Sequence, residues 1–259
     1  MLKNHQLVIT FLGTGTSQGI PIIGSNHPVC LSDNIKDKRL RSSISISHND
    51  IDILIDCGPD FRQQAIRAKL KKIDAVLFTH EHSDHTAGLD DLRPFFFRQG
   101  DIPIYAEKRV IEALKIRFNY IFKKENKYPG VLNFDVNNIY NQPFLVSKIE
   151  IIPIQVFHNK LPVFGFRIFD FAYITDAKTI PDDEIKKLTG LNVLVINALR
   201  QKPHLSHFNL DEALNFIKLV DPKKTYLTHI SHHLGFHDKV EQSLPENVFL
   251  AYDNLKISV

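Results

Sequence analysis

The stretch Asp74 to Leu89, DAVLFTHEHSDHTAGL, decides how this chain is read. It opens as an apolar run of strand type and then places His80, His82, Asp84 and His85, four ligand-type side chains, within six positions before a small-residue turn into a helix. Residues two apart in extended chain face the same side, so His80 and His82 can grip one ion, while a turn at Ser83 swings Asp84 and His85 toward a second. Packing does not call for such a cluster; metal binding does.

Outward from this stretch the same pattern repeats. His158 closes IEIIPIQVF, Asp176 closes FAYIT, His229 closes KTYLT and Asp56 closes IDILI, so each polar residue caps a strand of buried type. Strand ends are where loops converge on a site in sheet enzymes. Histidine totals 13, with further clusters at His204 and His207 and at His232 and His233, whereas tryptophan is absent.

The 259 residues are 43% hydrophobic and 24% charged, which excludes whole-chain disorder and leads us to expect one domain over residues 1–259. No run reaches the ~18 apolar residues of a membrane span, and the start, MLKNHQLVITFLGTG, passes straight into strand-like alternation, so no membrane association and a cytoplasmic location are expected. Two cysteines, Cys30 and Cys57, exclude a disulfide framework. A formal charge of +3 suits an anionic substrate but is far from a nucleic-acid-coating surface.

Strand patterns fall at Leu7 to Leu12, Ser42 to Ser47, Ile51 to Ile55, Ala75 to Phe78, Ile102 to Tyr105, Ile149 to Phe157, Val163 to Ile168, Phe171 to Thr175, Val193 to Ile196, Thr225 to Thr228 and Val248 to Ala251. Asn49-Asp50 marks a hairpin. Capping boxes are read at Asp60 with Gln63 and at Asn209 with Glu212, a proline-in-first-turn start at Pro181, and a helix over Glu107 to Phe122. Lys123 to Asn141 reads as a solvated loop, with a substrate-facing flap carrying Tyr128 and Lys123 or Lys124 as the other reading. The class is mixed α/β with helix-covered sheets.

The segment HEHSDH resembles the HxHxDH motif of the metallo-β-lactamase superfamily. GTGTSQGIP at Gly13 to Pro21, RSS at Arg41 to Ser43, IDCGPDFRQQ at Ile55 to Gln64 and PHLSH at Pro203 to His207 are most similar to the cyclic phosphate phosphodiesterases of that superfamily, including the PhnP-like group. The resemblance implies a four-layer αββα sandwich. It implies His80, His82 and His158 on one metal, Asp84, His85 and His229 on a second, Asp176 bridging both, and Asp56 orienting a ligand histidine. Zinc is the first expectation, with manganese or iron as the others that nitrogen and carboxylate donors suit.

Two dications, two aspartates and a bridging hydroxide leave a formal excess of about +1, which favours a small anionic phosphodiester over a neutral amide. The resemblance places His207 as the proton donor to the leaving alkoxide and Asp84 beside it in the catalytic set. His204 and His233 have weaker claims to that role, Arg200 is a candidate phosphate contact, and Arg93 and Arg98 are candidates for the site entrance. Phe95, Phe96 and Phe97 read as core, and Gly13 to Thr16 as a tight turn beside the metals.

One loop departs from the pattern. In the resembling phosphodiesterases three cysteines and a downstream histidine hold a structural zinc; here GSNHPVC carries Ser25, His27 and Cys30, with His232 downstream. A third zinc would rest on His27, Cys30 and His232, because serine is a poor ligand. The alternatives to a phosphodiesterase are a glyoxalase II-like thioesterase, a tRNA 3′ endonuclease-like nuclease and a non-enzymatic metal-binding protein; nucleic acid is disfavoured as partner, and a homodimer is left open.

Overall fold

The computed structural model describes residues 6–123, 125 and 127–259. In chain order the strands of the first half are β1 Val8–Gly13, β2 Ser43–His48, β3 Ile51–Ile55, β4 Ala75–Leu77, β5 Ile102–Glu107 and β6 Phe134–Ile139. The second half supplies β7 Phe144–Val146, β8 Ile149–His158, β9 Leu161–Ile168, β10 Phe171–Tyr173, β11 Val193–Asn197, β12 Lys224–Thr228 and β13 Val248–Leu250, and β14 Lys256–Ser258 returns to the first half. Among the described residues these form two seven-stranded sheets, β14-β1-β2-β3-β4-β5-β6 and β13-β12-β11-β10-β9-β8-β7. Each sheet is antiparallel on one side and parallel on the other: β3 to β6 run parallel, as do β10 to β13.

Residue parity assigns the layers. In β3, Ile53 and Ile55 face the inter-sheet core with Ile9, Phe11, Phe166, Tyr173, Val193 and Val195, whereas Leu54 faces Phe61, Leu89, Leu92, Val110 and Leu114 from the first-half helices. In β11, Leu194 and Ile196 point the other way, onto Leu210, Ala213, Phe216 and Ile217 of the helix Leu210–Val220. Strands apolar on both faces require helices outside, and the result is the αββα sandwich.

The boundaries carry several corrections. The Asn49-Asp50 hairpin forms with φ of 46° and 64°, the conformation an Asn-Asp type I′ turn needs. The Asn209 box is complete, Asn209 Oδ1 accepting from the Glu212 amide at 3.0 Å and Glu212 returning the bond at 2.9 Å. Asp60 makes no such cap: its carboxylate accepts instead from the Arg41 amide and guanidinium. Pro181 stands at the N-cap of Asp182–Lys186 rather than inside its first turn. Glu107 to Phe122 is broken at Phe118 into Lys108–Arg117 and Asn119–Phe122.

The expected loop of Lys123 to Asn141 contains β6, whose polar FDVNNI pattern hides a strand paired along β5; Lys124 lies outside the described residues. Short β7 and β14 were equally invisible to periodicity. Phe95 is buried as read, but Phe97 is 62% exposed. Arg98 donates to the Lys71 carbonyl, ahead of β4 and opposite the end that bears the histidines, so it does not flank the site entrance.

Candidate metal centre

Seven expected ligands arrive at one edge of the sandwich because both sheets end there. His80, His82, Asp84 and His85 follow β4, His158 ends β8, Asp176 follows β10 and His229 follows β12. Asp56, Asp176 and His229 each adopt a left-handed backbone, with φ of 62°, 57° and 54°. Non-glycine residues pay strain in that region, and three of them clustered at strand ends mark a site rather than ordinary turns. Gly58 lets the chain after Asp56 slide under this loop, since a Cβ there would stand 2.0 Å from the Asp84 carbonyl oxygen.

Hydrogen bonds fix which nitrogen each histidine offers. His85 Nδ1 donates to Asp56 Oδ2 at 2.7 Å, His158 Nδ1 donates to the Ser206 carbonyl at 2.7 Å, and His80 Nδ1 lies 3.0 Å from the Thr79 hydroxyl. Asp56 is itself held by the Thr79 amide at 2.9 Å and hydroxyl at 2.8 Å. Asp56 therefore fixes the orientation of the His85 ring. The other nitrogens, Nε2 of His80 and of His85, are buried with no hydrogen-bond partner. Buried polar atoms are rarely left so, and an orphaned imidazole nitrogen facing carboxylates is what a cation site looks like.

Among the described residues, ligand atoms converge in three groups, each within 4.8 Å: His80 with His85 and Asp176; Asp84 with His85 and His229; His158 with Asp176 and His207. Asp176 and His85 are each common to two of them. His82 stands outside these groups, its ring 4.5 Å from that of His80 and 5.2 Å from that of His158. His207 enters more deeply than expected, Nε2 at 3.0 Å from Asp176 Oδ1, with His204 Nδ1 3.2 Å from its other nitrogen.

The charges fit a cation. Burial alone would lower His85, but Asp84, Asp176 and Asp56 outweigh it and hold its proton well above the usual imidazole range. Asp176, which burial would raise, is kept well below the carboxylate range by His229 and His85. Burial, reinforced by His85, drives His80 well down, and burial brings His229 to about 4, so both are neutral and ready to donate a lone pair.

Gly13 to Thr16 abuts this edge but is not the tight turn expected: it is extended, Gly15 bridging Arg41 and Ile230, Thr14 O accepting from the Ile230 amide at 2.9 Å and the Thr16 amide donating back at 3.1 Å, and the chain turns only at Ser17 and Gln18. Arg200 is spent on its own loop, donating to Lys202 O and Pro203 O. The third-metal candidates behave differently. His27 and His232 have rings 4.7 Å apart, with His233 added at 3.8 Å from His232, while Cys30 packs with Ile20 and Val29, and none of these joins a converging ligand group. Sequence reasoning missed Thr79, Ser206 and the Glu81–Arg109 pair. The need of each ligand imidazole for a second partner could have drawn attention to Thr79, its neighbour in the chain.

Comparison with known proteins agrees with this geometry. The family described as beta-lactamase superfamily domain matches residues 52–230. A crystal structure of a new diphosphatase from the PhnP family superposes with a TM-score of 0.92 at 37% identity, over 98% of this chain and 97% of that one. The octanoyltransferase of Porphyromonas gingivalis is 39% identical over 95% of this chain and 50% of its own length. A ribonuclease Z of Listeria innocua is 27% identical over 62% of this chain and 49% of its own length. The chain thus spans about half the length of these two curated relatives.

Proposed function

We propose that this chain, which belongs to the beta-lactamase superfamily and is a hydrolase of the metallo-β-lactamase fold, cleaves small cyclic phosphate or nucleotide-like phosphodiesters. Two divalent ions are proposed on His80, His82 and His158 and on Asp84, His85 and His229, with Asp176 shared; zinc is the first choice, manganese or iron the others. Bound there, such ions supply positive charge to phosphate oxygens and acidify water. The chain's own part is to hold neutral imidazoles and ionised carboxylates in place, and to deliver a proton.

The observation that carries the reading is His207, a buried imidazole whose Nε2 lies 3.0 Å from Asp176 Oδ1. An alkoxide leaving group needs a proton, whereas a thiolate, with a thiol pKa of ~8.5, leaves without one. A positioned imidazole therefore favours phosphodiester over thioester cleavage. The diphosphatase likeness supports phosphorus chemistry; the octanoyltransferase likeness covers half of that protein and carries no acyl-transfer reading here.

Hydrolysis of bis(p-nitrophenyl) phosphate and 2′,3′-cyclic nucleotides by zinc- or manganese-loaded protein tests the proposal. Turnover of both is expected, and silence toward both, with cleavage of S-lactoylglutathione, would replace it by the thioesterase reading. The ribonuclease Z likeness supports a nuclease as the second reading, tested with a pre-tRNA carrying a 3′ trailer. We further propose a structural ion on His27, Cys30 and His232, supported by the buried, unpartnered His232 Nδ1; metal analysis giving two ions per chain instead of three would remove it.

A further inference from the structure

The histidines proposed for the first ion come from opposite sheets: His80 and His82 follow β4, whereas His158 ends β8. Two links cross between these segments. One is a backbone bond, Phe164 N to Thr79 O at 3.0 Å. The other is Arg109, in the first turn of Lys108–Arg117. Its Nε donates to Glu107 Oε2 at 3.0 Å, one terminal nitrogen donates to Glu81 and the other to the Pro162 carbonyl. Glu107 ends β5, Glu81 stands between His80 and His82, and Pro162 pairs with Phe157, the neighbour of His158. One planar fork thus reaches three segments, which a lysine ammonium cannot match in fixed geometry.

We infer that Arg109 is a positioning residue that sets the span between His82 and His158, and so the affinity of one metal position. The guanidinium is about a quarter exposed, with a side-chain accessibility of 28% against 26% for Glu81. Pairs this open contribute little to global stability. Their effect belongs where small displacements matter, in a ligand set whose rings must stay at 5.2 Å. The inference rests on the proposed metal pair but not on the substrate.

Stepwise zinc affinities from chelator competition test it, with the melting temperature of metal-free protein as control. Arg109→Ala is expected to weaken one of the two catalytic ions about tenfold, the lower end for a residue supporting a ligand, while the other ion and the metal-free melting temperature stay near wild type. Arg109→Lys should behave like Arg109→Ala, because the fork and not the charge acts. Equal weakening of both ions, no weakening, or full recovery with lysine would overturn the inference. If Arg109→Ala fails to fold, Glu81→Ala approaches the same contact from its partner and is read identically. Failure of the wild-type protein to bind any zinc would instead remove the metal reading beneath it.

Discussion

Two histidine clusters stand among the described residues, and only in the one around Asp176 do carboxylates face rings held by directed hydrogen bonds. Around Asp176 the imidazoles of His80, His85, His207 and His229 are buried, ring orientations are set by Asp56, Ser206 and Thr79, and carboxylates lie 3.2 Å from Nε2 of His85. Around His27 the rings are equally close, at 4.7 and 5.5 Å from those of His232 and His233, yet no carboxylate joins them and His27 Nδ1 is already accepting from the Val29 amide. Proximity of imidazoles is therefore not the signature of a metal site. Supporting bonds that aim an unpartnered lone pair are.

Hydrogen bonds that need no metal also hold the second cluster to the fold. Asp37 is buried and accepts from Ser32 Oγ at 2.6 Å and the His237 amide at 2.7 Å. Buried Arg39 donates to Thr14 Oγ1 at 2.7 Å and to Ala251 O, and lies 3.1 Å from His237 Nδ1. This network ties the 20–39 excursion to the 230–240 segment, the two parts that a knuckle zinc would join.

The sharpest break of the comparison is His207→Ala. Turnover of a 2′,3′-cyclic nucleotide should fall about 10²- to 10⁴-fold with metal content unchanged, and turnover of bis(p-nitrophenyl) phosphate, whose nitrophenolate leaves unaided, should fall less. Loss of metal in that variant would make His207 a ligand instead. Asp56→Asn comes next: removal of the carboxylate behind His85 should cost roughly 10- to 100-fold in metal affinity, read by chelator competition.

Smaller effects come from the second cluster. Burial, with Arg39 and Lys36 adding to it, lowers His237 to about 4, below the ~6.5 of an unfolded chain. Between those values the unfolded state binds a proton that the folded state refuses. Its contribution to stability is full above ~6.5 and is lost as pH falls toward 4. Thermal unfolding of metal-free protein from pH 7 to 4.5 should thus steepen in wild type and flatten in His237→Gln. Least of all, Ser25→Cys should raise third-ion occupancy and leave turnover unchanged; a parallel change in turnover would couple the two clusters.

Most of the sandwich was legible because its strands are apolar on both faces, and the proposed ligands were visible either in the HEHSDH cluster or, as with His158, Asp176 and His229, as polar residues closing such a run. What escaped had little apolar signal. In β6, Asp135, Asn137 and Asn138 lie exposed or half-buried, so the strand rests on pairing along β5 and on Phe134, Val136 and Ile139, too few and too irregularly spaced to read as alternation. Asp60 follows the local capping pattern but answers to Arg41, 19 residues away, a tertiary bond that no local rule contains. At the site, residue types were readable and their supports were not. Thr79, Ser206 and Arg109 are placed by directed hydrogen bonds, and ordinary threonine, serine and arginine carry no mark of it in sequence.

Anomalous diffraction from zinc-loaded crystals tests the central claim most directly. Two peaks astride Asp176 are predicted, one at about 2.1 Å from nitrogens of His80, His82 and His158, the other at similar distance from Asp84, His85 and His229. A single peak there, or zinc held only between His27 and His232, would contradict it.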